Sequence, residues 1–325
     1  MGFRETPDLL RLALAALLAL AACSSGGGDG SARPTRPPEP GAFPDTPLPQ
    51  GRTEVAGALW GGRIAIAGGF TADGAPSSRL DLLDEDGDWS RGPDLPAAYD
   101  HASLAVLDRR LWLVGGVATR DGEGRATAAV SSLGRGEDEW REEASLQEPR
   151  SALATVAAEG MLVAIGGAND RGVLRSTEIY DPADGEWRRG PALAVPREHT
   201  AAAAVGETVY AIAGRQGTLE SNLTSVESLG LPDGEWRPEP SLRFSRGGTA
   251  AAALDGRPCV AGGEEPGGTI PSVECLGEEG WREVAALVTP RHGLAMVAAG
   301  GELHVIGGGP QPGLFVSDAH EVLDA

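Results

Sequence analysis

A pair of adjacent glycines closing a short apolar run recurs at a nearly fixed interval along this chain. The runs are Ile64-Ala65-Ile66-Ala67-Gly68-Gly69, Leu111-Trp112-Leu113-Val114-Gly115-Gly116, Leu162-Val163-Ala164-Ile165-Gly166-Gly167, Val260-Ala261-Gly262-Gly263 and Val305-Ile306-Gly307-Gly308, with a degenerate copy at Ala211-Ile212-Ala213-Gly214. Their first small residues lie at 68, 115, 166, 213, 262 and 307, in steps of 47, 51, 47, 49 and 45. Tryptophan keeps the same beat at 89, 140, 187, 236 and 281, and six residues after each comes Leu95, Leu146, Leu193, Leu242 or Leu287. Two independent markers with one period mean six copies of one supersecondary unit. Such a unit cannot bury its apolar faces alone and must pack against its neighbours.

Each unit reads as four short strands with turn residues between them. A four-stranded sheet repeated in this way closes radially into a propeller, which leaves only short edges. Ser151–Ala158 and Thr200–Val205 score as helix by propensity. The repeat overrules that score, because the innermost strand sits at a crowded axis that favours Ala, Gly, Ser and Thr. Gly-Gly lets the backbone bend and crowd at the end of the second strand, and the Trp opens the fourth strand over the gap between neighbouring units. The sixth copy starts at Pro290-Arg291 and ends at Glu321-Val322-Leu323-Asp324, without a Trp or a fourth strand. Phe43-Pro44-Asp45-Thr46-Pro47-Leu48-Pro49 resembles Trp89 to Pro96, so residues 42–49 are expected to supply the missing outer strand and protect an otherwise bare edge.

The third copy is the fullest: Pro149-Arg150, the run to Gly166-Gly167, Ser176-Thr177-Glu178-Ile179-Tyr180-Asp181-Pro182, then Gly185-Glu186-Trp187. This resembles the kelch repeat, and the resemblance covers about 43–325. The Tyr position reads Leu83, Leu133, Leu229, Leu276 and Leu323 in the other copies. The implied fold is all-β: a six-bladed kelch-type β-propeller over 42–325, closed by the N-terminal strand that completes the last blade.

The first residues read as an address rather than as fold. Leu12 to Ala22 is an apolar run of eleven, long enough for a signal peptide and too short to span a bilayer. Leu20-Ala21-Ala22-Cys23 resembles the bacterial lipobox, in which the Cys thiol receives diacylglycerol. Behind it, the composition of Ser24 to Gly30 reads as a flexible tether and that of Arg33 to Pro40 as a stiffer Pro-rich spacer. The expected organisation is a signal peptide at 1–22 and a lipid-anchored tether at 23–41. The expected location is the cell envelope, on the outer membrane or the periplasmic side of a bacterial membrane.

The net charge is −20, from 47 acidic and 27 basic residues, and every base is arginine. A chain so acidic repels phosphate backbones, which argues against nucleic acid. There is no P-loop, no G-x-G-x-x-G opening a helix and no zinc-type Cys/His spacing, so neither a cofactor nor a metal is expected. Kelch relatives of the galactose oxidase type need two Tyr and two His on copper, plus a Cys cross-linked to Tyr. With only Tyr99, Tyr180 and Tyr210 present, that chemistry is set aside, and no catalytic set stands out.

At the start of the inner strands lie Arg52, Arg150, Arg197, Arg246 and Arg291, with Tyr99 in the second copy and His101 and His199 two residues further along in their copies. This ring is expected around one mouth of the channel. Two roles stay open for it: hydrogen bonding between blades, as in kelch repeats, or binding of a carboxylate, for which Arg is the best bidentate partner. The turns on the opposite face are acidic, as at Asp84 to Asp88. Cys259 and Cys275 sit on the second and third strands of copy five, where copy three has Val163 and Ile179. They are expected to face each other across a hairpin, as a disulfide or as two buried thiols.

The resulting expectation is a monomeric, membrane-anchored binding or scaffold module that presents its loops to a protein or glycan partner. The alternative is an enzyme resembling N-acetylneuraminate epimerase, a sugar-acid mutarotase, in which the arginines would clamp an acidic small molecule.

Overall fold

The computed structural model describes residues 43–120 and 122–325. The signal segment, Cys23 and the tether lie outside them. Among the described residues, six antiparallel sheets carry the repeat. In the third, Ala154–Ala158 is innermost, followed outward by Met161–Ile165, Thr177–Asp181 and Glu186–Arg189. The inner strands of the six sheets are Ala56–Trp60, Ser103–Leu107, Ala154–Ala158, Ala201–Val205, Ala250–Leu254 and Ala295–Ala299. Each packs against the next, and the last packs against the first. Ala201–Val205 is strand despite its four alanines, because small side chains are what the axis admits.

Two contacts between neighbouring sheets explain the repeat's markers. The first is a backbone bond made by the second small residue of each run. Gly69, Gly116, Gly167, Gly214, Gly263 and Gly308 donate N–H to the carbonyls of Tyr99, Arg150, Arg197, Arg246, Arg291 and Arg52, all at 2.8–2.9 Å. The last of these bonds runs from the sixth blade back to the first. The approach is close: a Cβ on Gly166 would lie 2.4 Å from the Arg197 carbonyl oxygen, and Gly166 has φ +58°. In the fourth blade Ala213 stands at that position with φ +56°, a conformation an L-residue tolerates poorly.

The second contact is made by the tryptophans. Trp140, Trp187 and Trp236 donate their indole N–H to the carbonyls of Pro93, Ala144 and Pro191, on the preceding blade. Trp89 does the same to Thr46, so the N-terminal segment occupies the matching place beside the sixth blade.

That segment differs from its expected form. The sixth sheet has three strands, Ala295–Ala299, Glu302–Ile306 and His320–Leu323, and residues 43–48 form no strand. Pro44, Pro47 and Pro49 remove the N–H groups that a ladder needs. What remains is side-chain packing and two bonds. Phe43 and Leu48 pack on Ile64, Ile66 and Ile306, and Leu48 N–H donates to Asp318 at 2.8 Å. Leu95, Leu146, Leu193, Leu242 and Leu287 each make the corresponding backbone bond in their own junctions. The second bond runs through a buried histidine pair, with His304 Nδ1 2.9 Å from His320 Nε2 and His320 Nδ1 3.1 Å from the Thr46 carbonyl.

In the fifth blade Cys259 pairs directly with Cys275, just as Val163 pairs with Ile179 in the third, and the two sulfurs are bonded. Closing a loop of this size contributes about 3 kcal/mol in the chain-entropy account.

Two expectations follow from this packing. Gly166→Ala should lose more than ~1 kcal/mol, because it adds a clash to an unfavourable φ, whereas Ala213→Gly should gain about 1 kcal/mol or less; urea denaturation of both variants measures the difference. The second concerns acid. Burial, with His320 beside it, lowers His304 to about 4, and burial lowers His320 as well. The unfolded chain therefore takes up protons that the folded protein refuses, so the stability from this pair is full above the ordinary histidine range and fades as pH falls towards 4. His304→Gln should flatten the fall in melting temperature between pH 7 and pH 5; an unchanged slope would remove this pair from the acid response.

Candidate functional site

The five arginines of the ring do not line the channel mouth. Arg52, Arg150, Arg197, Arg246 and Arg291 are all fully buried, at 0% exposure. Each holds a carboxylate on the third strand of its own blade: Asp81, Glu178, Glu227, Glu274 and Glu321 respectively, at 2.5–2.8 Å. Arg246 shows the full pattern. One terminal nitrogen donates to the Gly262 and Ser272 carbonyls, and the other to Ser272 Oγ and Glu274. The carboxylates also accept backbone N–H from the chain entering the blade, from Gln147 and Glu148 at Glu178 and from Ala194 and Val195 at Glu227. Of the two roles left open by the sequence, the structural one describes these contacts, with the correction that the partners are within a blade rather than between blades. Burial lowers Arg52 to about 10 against the opposing pull of Asp81, so it stays charged at neutral pH.

The mouth is formed by the residues two positions after each arginine or Tyr99. These are Glu54, His101, Ala152, His199, Gly248 and Gly293, and all six have positive φ, between 48° and 65°. Around the axis Ala152 N–H donates to His101, His199 to Ala152, Gly248 to His199 and Gly293 to Gly248. Behind them runs a channel of about 380 Å³ lined mostly by small and aliphatic residues of the inner strands, such as Gly57, Ala58, Ala105, Ala154, Ala202 and Ala252. At the mouth itself a smaller cavity of about 80 Å³ is bounded by Glu54, His101, His199, Thr200 and Thr249.

The structure brings His101 and His199 together, with their Nε2 atoms 3.0 Å apart. His101 Nδ1 is 2.6 Å from Asp100 Oδ1, and His199 Nδ1 bonds Glu198. Glu54 Oε2 lies 3.5 Å from His101 Nε2, and Gly293 leaves the room that the Glu54 carboxylate occupies. Arg215 reaches the cluster from the loop of the fourth blade, donating to Glu198 at 2.8 Å, to Glu264 at 2.6 Å and to His199 Nε2 at 3.1 Å. His292 Nε2 sits 3.5 Å from Glu54 and 3.7 Å from Glu264.

Burial works to raise the Glu54 carboxyl, but His101, His199, His292 and Arg215 outweigh it and hold Glu54 at about 2. Burial likewise works to lower His101, and Glu54, Asp100 and Glu198 more than offset it, so His101 is raised. The side chains able to hold a cation are Glu54, His101 and His199, whose ligand atoms all lie within 4.8 Å of one another. Sequence reading found the two histidines but missed Glu54, Asp100, Glu198, Arg215, Glu264 and His292. The available signal was register: Glu54 occupies in copy one the place that His101 and His199 occupy in copies two and four.

If the arginines are clamps, Arg246→Ala should cost about 3–5 kcal/mol, because it leaves the buried Glu274 carboxylate unpaired. The paired change Arg246→Met with Glu274→Leu should cost far less than the sum of the two single losses. A double-mutant cycle by urea denaturation measures this, and additive losses would show that the pair does not act as a unit.

A family model described as "Kelch motif" matches residues 149–194 and 196–243. The chain is 30% identical over 195 residues to Beta-scruin of Limulus polyphemus, an alignment covering 54% of this chain and 21% of that protein. It is 26% identical over 280 residues to the Kelch-like protein terF of Aspergillus terreus, covering 79% of this chain and 61% of that one. The chain thus spans less than two thirds of the length of either relative. Among solved structures, one titled "Structure of YjhT" superposes with a TM-score of 0.75 at 15% identity, covering 87% of this chain and 97% of that chain. The fold is an all-β kelch-type propeller, and the kelch motif is matched over two of its six repeats.

Proposed function

We propose that this protein is a binding module of a bacterial cell envelope, anchored by lipid at Cys23 and presenting its channel-mouth face to a protein or glycan partner. The observation that carries this reading is the composition of the mouth. The channel behind it is mostly small and aliphatic, whereas the mouth gathers Glu54, Asp100, His101, Glu198, His199, Arg215, Glu264 and His292 into one bonded network. Three of these ionisable residues, Glu54, His101 and His199, hold a left-handed backbone where two other blades use glycine. Non-glycine residues kept in that region cost roughly 1–3 kcal/mol each and concentrate at functional sites. Phe244, in the loop before Arg246, and Phe315, in the loop after Gly307-Gly308, belong to loops of the same face and are 41% and 50% exposed, which gives a partner apolar surface on that face.

The sugar-acid alternative is less well served by this face. The five arginines that would have clamped a carboxylate are sealed in the blades. Arg215 is already shared between two glutamates, and carboxylates outnumber guanidiniums at the mouth.

The test places a photo-crosslinking residue at Phe244 or Phe315, and as controls at Glu85 or Glu279 in the acidic turns of the opposite face, in cells that express the full chain. Discrete adducts from the mouth face alone are expected, and Cys23→Ala should move the protein to the soluble fraction. Equal labelling of both faces, or no adduct at all, would sink the binding-face reading. Continued membrane partitioning of Cys23→Ala would sink the anchor, and accelerated mutarotation of acidic monosaccharides in a polarimeter would transfer the case to the enzyme alternative.

A further inference from the structure

The geometry points to a divalent transition-metal site at the channel mouth, with His101 Nε2, His199 Nε2 and a Glu54 oxygen as its protein ligands. This goes beyond the binding-module reading and does not depend on the lipid anchor.

The argument starts from the outer ends of the two rings. Each Nδ1 faces a carboxylate: Asp100 for His101 at 2.6 Å, and Glu198 for His199. A carboxylate accepts, so each Nδ1 carries a hydrogen, and Nε2 is the nitrogen that offers its lone pair when a metal ion binds. The two Nε2 atoms face each other at 3.0 Å. Two lone pairs at that separation repel unless positive charge lies between them. The spacing suits two imidazole nitrogens on one metal ion, since bonds of about 2.0–2.1 Å at angles near 90–110° put the nitrogens roughly 2.8–3.4 Å apart. Orientation of ligating histidines by carboxylates on the opposite ring nitrogen is the usual second layer of such sites, and here both rings have it.

Charge gives a second, independent argument. Glu54, Asp100, Glu198 and Glu264 converge on this mouth, and Arg215 is the one guanidinium bonded within the network among the described residues. A metal ion requires the histidines neutral, and in that state the cluster carries four negative charges and one positive. Buried carboxylates are paired or they coordinate cations, so a divalent ion brings the cluster close to balance. When the ion takes the His199 lone pair, Arg215 gives up its 3.1 Å contact there and keeps both glutamates.

Two imidazoles and one carboxylate favour a borderline ion such as Zn²⁺ over Mg²⁺ or Ca²⁺, which prefer all-oxygen sets. Three protein ligands leave at least one position open towards the mouth cavity of about 80 Å³. An oxygen of a bound partner can take that position.

The repeat itself supplies the test variants. Gly248 and Gly293 occupy in blades five and six the place of Glu54, His101 and His199, with the same positive φ. His101→Gly and His199→Gly therefore remove a ligand at a backbone position that glycine adopts without strain, and the metal-free melting curve reads any cost of leaving Asp100 or Glu198 without its ring. Tag-free mature protein, stripped with chelator and dialysed, is titrated with Zn²⁺ by calorimetry and assayed for metal content. The expected result is one Zn²⁺ per chain, a melting temperature that rises with the logarithm of free Zn²⁺, and no response to millimolar Mg²⁺ or Ca²⁺. Each glycine variant should lose at least 100-fold in affinity while its metal-free protein still unfolds in one cooperative transition, and Asp100→Asn should lose roughly 10–100-fold. Absence of stoichiometric Zn²⁺, or equal binding by His101→Gly and His199→Gly, would overturn the assignment and leave a proton as what the two rings share.

Discussion

Every passage of the chain from one blade to the next, save one, is pinned by a guanidinium buried against a carboxylate. The arginine ends the incoming loop, the carboxylate sits on the third strand, and both are buried except for Glu321, whose side chain is 15% exposed. A buried pair of this kind adds little over an apolar replacement, but losing one member is severe. Its worth lies in what it positions. In blades three and four the same carboxylate also binds two backbone N–H groups of the entering loop, so the clamp fixes where the inner strand begins. The carbonyl of the clamping arginine then receives the glycine N–H of the preceding blade. Clamp and ring closure thus share one residue, which couples order within a blade to order between blades.

The repeat made the architecture legible because its markers are the residues that the packing needs. Gly-Gly is written where the next blade's carbonyl comes within 2.4–3.0 Å of a would-be Cβ in five blades, and Trp where an indole spans the gap between sheets. The pairing of Cys259 with Cys275 was readable for the same reason, since register in one copy transfers to another. The clamps were half legible. The arginines stood out, but their partners lie 28 to 30 residues on, at a position that also reads as ordinary strand. The second copy carries the missing signal: where Arg gives way to Tyr99, the carboxylate position gives way to Ser131. Covariation within one chain would have identified a pair, whereas a count of arginines suggested a charged mouth. The N-terminal closure was misread in form because the match to the Trp89 segment was scored on side chains, while its three prolines govern the backbone.

The candidate site was the least legible part, and the reason is physical. Its residues come from five blades, and their approach is set by a ring that no short stretch of sequence encodes. His101 and His199 are 98 residues apart and meet because blades two and four flank blade three, where the small Ala152 stands between them. Spacing rules for metal or catalytic sites assume ligands on one hairpin or helix, and a propeller axis evades them.

The sixfold repeat also shows where to look for function in a fold that can serve many. At clamp and glycine positions the copies agree, because each blade must satisfy the same packing. Two residues after the clamp they diverge, to Glu54, His101, Ala152, His199, Gly248 and Gly293. The backbone there is left-handed in every copy, so glycine is the residue that local conformation favours, and it stands in two. Packing cannot explain why three others are ionisable, since equivalent backbone in the same ring is built without them. Nor does chance account well for their support, because Asp100 and Glu198, each one residue before its histidine, hold both rings, and Gly293 opens the space for Glu54. Where a repeat departs from its own consensus against the local backbone preference, and its neighbours are shaped to accept the departure, the deviation belongs to what the protein binds.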